Sequence, residues 1–255
     1  MRALFALIAA LTLLGATPPA TVSVAYAGSL VTPMEGPIAA QAAQAGLRFV
    51  GEPRGSRAIA NLILQGLRNP DIFISADRAD VQRLAKAGLV AQATTFASAS
   101  LVLGFAPTPR GRALYAQTAS GTRDAVTELL QTPGLRIART DPALDPKGAR
   151  TIRALQILGL PKSLGVVFPE EDLLVRLETG EADVGFLYST EAVARKLRYV
   201  PLPGKASLSD EITYTLAILK HAPHPQAARR FAAFVLTGAG RTILQGAGIT
   251  YLHSP

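Results

Sequence analysis

Residues 22–30 read Val22-Ser23-Val24-Ala25-Tyr26-Ala27-Gly28-Ser29-Leu30, a short apolar run that stops at a Gly-Ser pair, with an amphipathic stretch over residues 34–45 behind it. An apolar run of that length bounded by turn residues reads as a strand, and the apolar spacing after it reads as a helix. Working outward, the same unit recurs along the chain. Strands are predicted over 22–27, 47–52, 72–75, 100–105, 137–139, 184–188, 199–202 and 214–218. Helices are predicted over 34–45, 56–65, 79–87, 123–130, 148–158, 170–179, 190–195, 225–236 and 238–246. Strands followed by helices imply an α/β fold with largely parallel sheets, whose ligand sites lie beyond the carboxyl ends of the strands. Two such sheets fit the length better than one, and no repeat of solenoid period is present.

Composition narrows the classes that remain. With 255 residues, 49% hydrophobic and 17% charged, the chain buries a real core, and its 22 Gly and 18 Pro are dispersed rather than blocked into low-complexity sequence. The absence of cysteine excludes disulfide frameworks, thiolate metal sites and thiol nucleophiles. The net charge of +8 suggests an anionic partner. Arg2 precedes an apolar run from Ala3 to Ala16 and then Thr17-Pro18-Pro19-Ala20, the layout of a secretory signal peptide over residues 1–20. Pro18 is ill suited to a cleavage site after Ala20, so a retained N-terminal anchor is the alternative. No later stretch is apolar for long enough to cross a bilayer, which predicts an exported, soluble body. The basic residues are scattered without aromatic interleaving, so no nucleic-acid partner is expected.

The chemistry should sit where strands hand over to helices. Gly28-Ser29 follows the first strand and Gly55-Ser56-Arg57 the second; Gly is read there as permitting a sharp turn and Ser as offering a hydroxyl beside free N–H groups. In Asp141-Pro142-Ala143-Leu144-Asp145-Pro146-Lys147-Gly148, Asp145 takes an N-cap-like position and Pro146 the first helical turn. Helix starts of this kind suit anions, although any one of them is as well explained as an ordinary cap. His221, His224 and His253 read as surface residues, because prolines break the spacing a helical metal site needs. No Gly-x-Ser-x-Gly elbow occurs, and neither Ser29 nor Ser56 carries the signal of a paired base. The acids Glu170-Glu171-Asp172 are explained by the dipole of the helix they open. Arg229-Arg230 and Lys86 read as solvated faces or contacts with a membrane partner.

Taken in order, Ala27-Gly28-Ser29-Leu30, Gly55-Ser56, the stretch Asp71 to Asp77, the stretch Asp141 to Arg150, and Asp183-Val184-Gly185-Phe186-Leu187-Tyr188-Ser189-Thr190-Glu191-Ala192 resemble the periplasmic molybdate- and tungstate-binding proteins of ABC transporters. The resemblance extends to the closing stretch from Pro225 to Tyr251. It implies a two-lobed periplasmic binding protein of type II: two mainly parallel α/β sheets joined by hinge crossovers around one cleft. On that pattern residues 21–96 with 214–255 form lobe one, and residues 97–213, including the crossovers, form lobe two.

The resemblance further implies that Ser29 and Ser56 donate hydroxyl and backbone N–H bonds from lobe one. Tyr188 and the backbone N–H of Lys147 would do so from lobe two, with the backbone of Glu170 as a further donor. A dianion surrounded by fixed neutral dipoles needs no second buried charge. Members resembling tungstate binders add an Asp in the Asp-Pro segment and a Glu before the Tyr; this chain has Asp145 but Leu187 in place of the Glu. Asp145 therefore has three readings: a cap, a ligand to the metal of the oxyanion, or an acceptor for a proton on a phosphate-like ligand. The implied function is non-catalytic capture of molybdate or tungstate in the periplasm. The implied state is a monomer without a cofactor, working with a membrane permease and its cytoplasmic ATPase. The alternatives are a binding protein for sulfate, phosphate or an organic anion, or an exported hydrolase of anionic esters.

Overall fold

The computed structural model describes residues 18–143 and 145–252; most of the segment read as a signal peptide, and His253, lie outside the described residues. Strand β1 (Ala20–Ala27) pairs in parallel with β2 (Leu47–Arg54) and with β3 (Ile72–Ser75). Its residues alternate between two apolar clusters: Val22, Val24 and Tyr26 join one, and Ala25 joins the other with Phe73. Both faces of this sheet are therefore covered, which is why β1 reads as a nearly unbroken apolar run.

A helical segment leaves β1 through a 3-10 turn (Gly28–Leu30), α1 (Val31–Pro33), a π turn (Met34–Ile38) and α2 (Ala39–Gln44). Pro37 lies inside the π turn; having no N–H and a ring that crowds the preceding turn, it fits where the helix widens. Helices α3 (Ser56–Leu64) and α4 (Arg78–Lys86) cover the other face with Ile59, Ile63, Val81 and Leu84. Strand β4 (Val90–Ser98) then leads through two residues into β5 (Leu101–Phe105), which belongs to a second sheet.

That second sheet carries α5 (Pro109–Thr118), α6 (Arg123–Leu130), β6 (Ile137–Thr140), α7 (Pro146–Leu158), β7 (Val166–Phe168), α8 (Glu170–Glu178), β8 (Val184–Tyr188), α9 (Ser189–Ala194) and β9 (Arg198–Pro201). The chain returns through a 3-10 turn (Gly204–Ser207) to β10 (Thr213–Leu219) in the first sheet. Helices α10 (Pro225–Leu236) and α11 (Ala239–Gly246) and the short β11 (Thr250–Tyr251) complete it. The sheet orders are β11-β4-β10-β3-β1-β2 and β7-β6-β8-β5-β9.

The two-lobed α/β architecture stands, but the sheets are mixed rather than largely parallel. Strand β10 runs antiparallel to β3 and β4, and β5 runs antiparallel to β8 and β9. The crossovers cause this, because a strand that carries the chain into the other lobe, or back from it, has no crossover helix to restore its direction. Strands β4, β7 and β11 and helix α5 were not among the predicted elements. Each sheet is also pinned at the end away from its helix starts. Asp71, just before β3, accepts from Ser23 N and Oγ, each at 2.7 Å. Asp183, just before β8, accepts from Arg136 N at 3.0 Å and Arg136 Nη2 at 2.6 Å.

Candidate functional site

Between the lobes lies a cleft of about 660 Å³. From the first sheet it is walled by the turn after β1, the start of α3 and the turn after β3; from the second, by the start of α7 and the end of β8. Of the six residues expected to bind the ligand, Ser29, Ser56, Asp145 and Tyr188 line it.

Neither serine caps its own helix. Ser29 Oγ lies 2.9 Å from the Tyr214 hydroxyl, on a phenol that burial, more than any neighbour, pushes above its ordinary pKa. Ser56 Oγ accepts from Ala76 N at 3.1 Å, which leaves the hydroxyl proton available to a ligand. The glycines before them act differently from the sequence expectation. Gly28 and Gly55 do not take the left-handed conformation, and a Cβ on either would meet no protein atom within 4 Å. What glycine provides here is bare backbone beside the cleft rather than a sharp turn.

Asp145 is the N-cap of α7: its Oδ1 accepts from Lys147 N at 2.9 Å. The backbone N–H of Lys147, expected to face the ligand, is thus taken by the cap. The Lys147 side chain is 1% exposed and its Nζ donates to Glu191 Oε1 at 2.7 Å behind the cleft wall. Asp145 Oδ2 is buried without a hydrogen-bond partner among the described residues. Tyr188 ends β8; its N–H donates to Glu191 Oε2 at 2.8 Å, and its hydroxyl accepts from Arg150 Nη1 at 2.6 Å. Burial raises the Tyr188 pKa and outweighs the opposing influence of Arg150, so the phenol holds its proton. Glu170 opens α8 directly after its N-cap Pro169, on a helix packed against β6 and β8.

Two arginines of the cleft lie within the quoted sequence motifs but were given no role there. Arg57 lines the cleft but is matched by Asp80 at 3.2 Å and Asp77 at 3.7 Å. Arg150 also lines it, and among the described residues no carboxylate forms a salt bridge with it. The site is therefore not made of neutral dipoles alone. The signal lay in α7, where Lys147, Thr151, Ala154, Leu155 and Leu158 form the buried stripe and Arg150 falls at its margin, one turn from the cap.

Ser29 and Ser56 have a phenol and a backbone N–H as their described partners, with no histidine base. His224, read as a surface residue, is exposed, and its Nδ1 lies 3.0 Å from Asp71 at the opposite end of the first sheet. No group of three metal-ligating side chains occurs among the described residues, and no described helix is long and apolar enough to cross a membrane.

Residues 22–250 match the family model of the bacterial extracellular solute-binding proteins. The molybdate-binding protein ModA of Mycobacterium tuberculosis is 34% identical over 201 residues, a match that covers 76% of this chain and 70% of that protein. The molybdate/tungstate-binding protein WtpA of Pyrococcus abyssi is 23% identical over 264 residues, covering 81% of this chain and 76% of the relative. The structure of the Azotobacter vinelandii periplasmic molybdate-binding protein superposes with a TM-score of 0.70 at 21% identity, covering 92% of this chain and all of that one (100%).

Proposed function

The chain belongs to the family of bacterial extracellular solute-binding proteins, and on that premise we propose that it captures one tetrahedral oxyanion, molybdate or tungstate, between its lobes. It then hands the ion to the membrane permease of an ABC transporter, driven by a cytoplasmic ATPase. The observation that carries this reading is the convergence of Ser29, Ser56, Tyr188 and Arg150 on one cleft from two lobes. Three hydroxyls, the helix starts beside them and one guanidinium make a donor-rich surface matched to a small dianion. The molybdate-binding M. tuberculosis relative and the molybdate/tungstate-binding P. abyssi relative support the choice of ion. Residues 21–96 with 214–255 act as one lobe and 97–213 as the other, and the protein works as an exported monomer without catalysis or cofactor.

The donors are divided between the lobes, so only a closed form engages all of them, and ligand shifts the protein toward that form. Calorimetric titration with molybdate, tungstate, sulfate and phosphate tests the assignment: one molybdate or tungstate per chain is expected, and each raises the melting midpoint by mass action. A protein that ignores both ions while binding sulfate, phosphate or an organic anion has another cargo. Release of a chemically altered ligand would make it an enzyme instead.

A further inference from the structure

We propose that Arg150 sets the charge selectivity of the cleft, making it a receptor for dianions rather than for tetrahedral anions in general. The inference rests on the reading above and deepens it. Arg150 Nη1 donates to the Tyr188 hydroxyl at 2.6 Å, and a guanidinium only donates. The phenol proton must therefore turn away from Arg150, and Tyr188, held at the end of β8 by the bond from its N–H to Glu191, aims it from the cleft wall. The guanidinium also carries a full charge with no carboxylate salt bridge among the described residues, whereas Arg57 across the cleft is matched by Asp77 and Asp80. A second bond, from Arg150 Nη2 to the Glu211 carbonyl at 3.4 Å, ties the side chain to the connection that returns to the first sheet.

The consequence follows from Coulomb's law. Attraction scales with the product of the charges, so Arg150 favours a dianion over a monoanion of the same shape by one extra unit of interaction. Hydroxyls and backbone N–H groups distinguish the two less steeply. Asp145 works in the opposite sense, and Arg150, one turn along the same helix, offsets it.

Tungstate and perrhenate provide the test, being tetrahedra of nearly one size that differ by one charge. In the parent protein tungstate should bind at least tenfold more tightly than perrhenate. Arg150→Gln should reduce that ratio at least tenfold, and Arg150→Lys, which keeps the charge, should hold it within about threefold of the parent. A ratio unchanged in Arg150→Gln overturns the inference, because a purely structural arginine would weaken both ions alike. Should that variant lose its cooperative melt, the parent still decides: perrhenate within threefold of tungstate overturns the inference, and a wide preference kept by Arg150→Lys supports it. A parent that binds neither molybdate nor tungstate refutes the proposed function itself, and the inference falls with it.

Discussion

Lys147 Nζ and Glu191 Oε1 lie 2.7 Å apart beneath the cleft, joining the first turn of α7 to the first turn of α9. The other oxygen of Glu191 accepts the Tyr188 N–H at 2.8 Å. One carboxylate thus fixes both segments by which the second lobe lines the cleft. Removing one partner of a buried pair strands the other charge, while replacing both with apolar groups removes the burden.

Glu191→Ala should accordingly destabilise the ligand-free protein by about 3 kcal/mol in urea unfolding. Lys147→Met combined with Glu191→Leu should recover much of that loss, and a double-mutant cycle reads the difference. If Glu191→Ala leaves the urea midpoint unchanged, the pair does not brace the site.

For the serines, the loss in binding should exceed the loss in folding. Ser29→Ala deprives the buried Tyr214 hydroxyl of this partner and should cost about 1 kcal/mol of stability, while molybdate or tungstate affinity falls by roughly 1.5 to 3 kcal/mol. Ser56→Ala should lose affinity to a similar extent and, in addition, about 1 kcal/mol of stability, because Ala76 N loses its acceptor. Normal affinity in both variants would place the ligand elsewhere.

Acid should act through the pins at the far ends of the sheets. Burial alone would raise the Asp183 pKa; hydrogen bonds from Arg136, with the charges of Arg136 and Arg110, outweigh it and hold the carboxyl below its ordinary value. Asp71 is lowered similarly, by bonds from Ser23 and His224 against burial. A group whose pKa falls on folding stabilises fully above its unfolded value, and that stability is lost as the pH drops through the folded value. Stability should therefore decline below about pH 4. Asp183→Asn should cost roughly 2 kcal/mol at neutral pH and flatten the acid limb of a pH series of urea melts. An acid limb as steep as the parent's would remove Asp183 as its cause.

How much of this was legible in the sequence depends on what each residue type signals. The βα units around Ser29, Ser56 and Tyr188 announced themselves because covered strands are continuously apolar and helices open on turn residues. Strand β4, with sequence VAQATTFAS, did not: its first half is exposed or half-buried and rich in Ala, Thr and Gln, so its pairing with β10 rather than its own hydrophobicity makes it a strand. Helix α5 is capped by Thr108, whose side chain accepts from Gly111 N, but its weakly patterned PRGRALYAQT sequence hides the helical period. Arg150 was given no role for a related reason. Its role depends on Tyr188, 38 positions away, and no local pattern records that contact.

Asp145 separates the remaining readings of the ligand. Its Oδ1 is committed to Lys147 N, so Asp145→Asn should leave the ligand-free melt nearly unchanged, since Asn caps about as well. Its Oδ2 is buried, has no partner among the described residues and belongs to a residue that lines the cleft, so the substitution should act on the ligand through that atom. With Leu187 in place of a second carboxylate, we expect the metal of the oxyanion to stay four-coordinate. Turning Oδ2 into an amide donor then removes a repulsion, and affinity for molybdate and tungstate should rise. A carboxylate that coordinates the metal predicts the reverse, a loss of affinity in Asp145→Asn and a six-coordinate centre in X-ray absorption. An acceptor for a ligand proton predicts a third pattern, with phosphate competing strongly in the parent and weakly in the variant. Higher dianion affinity in Asp145→Asn, four-coordinate absorption spectra and weak phosphate competition together support the cap role; six-coordinate spectra with reduced affinity refute it.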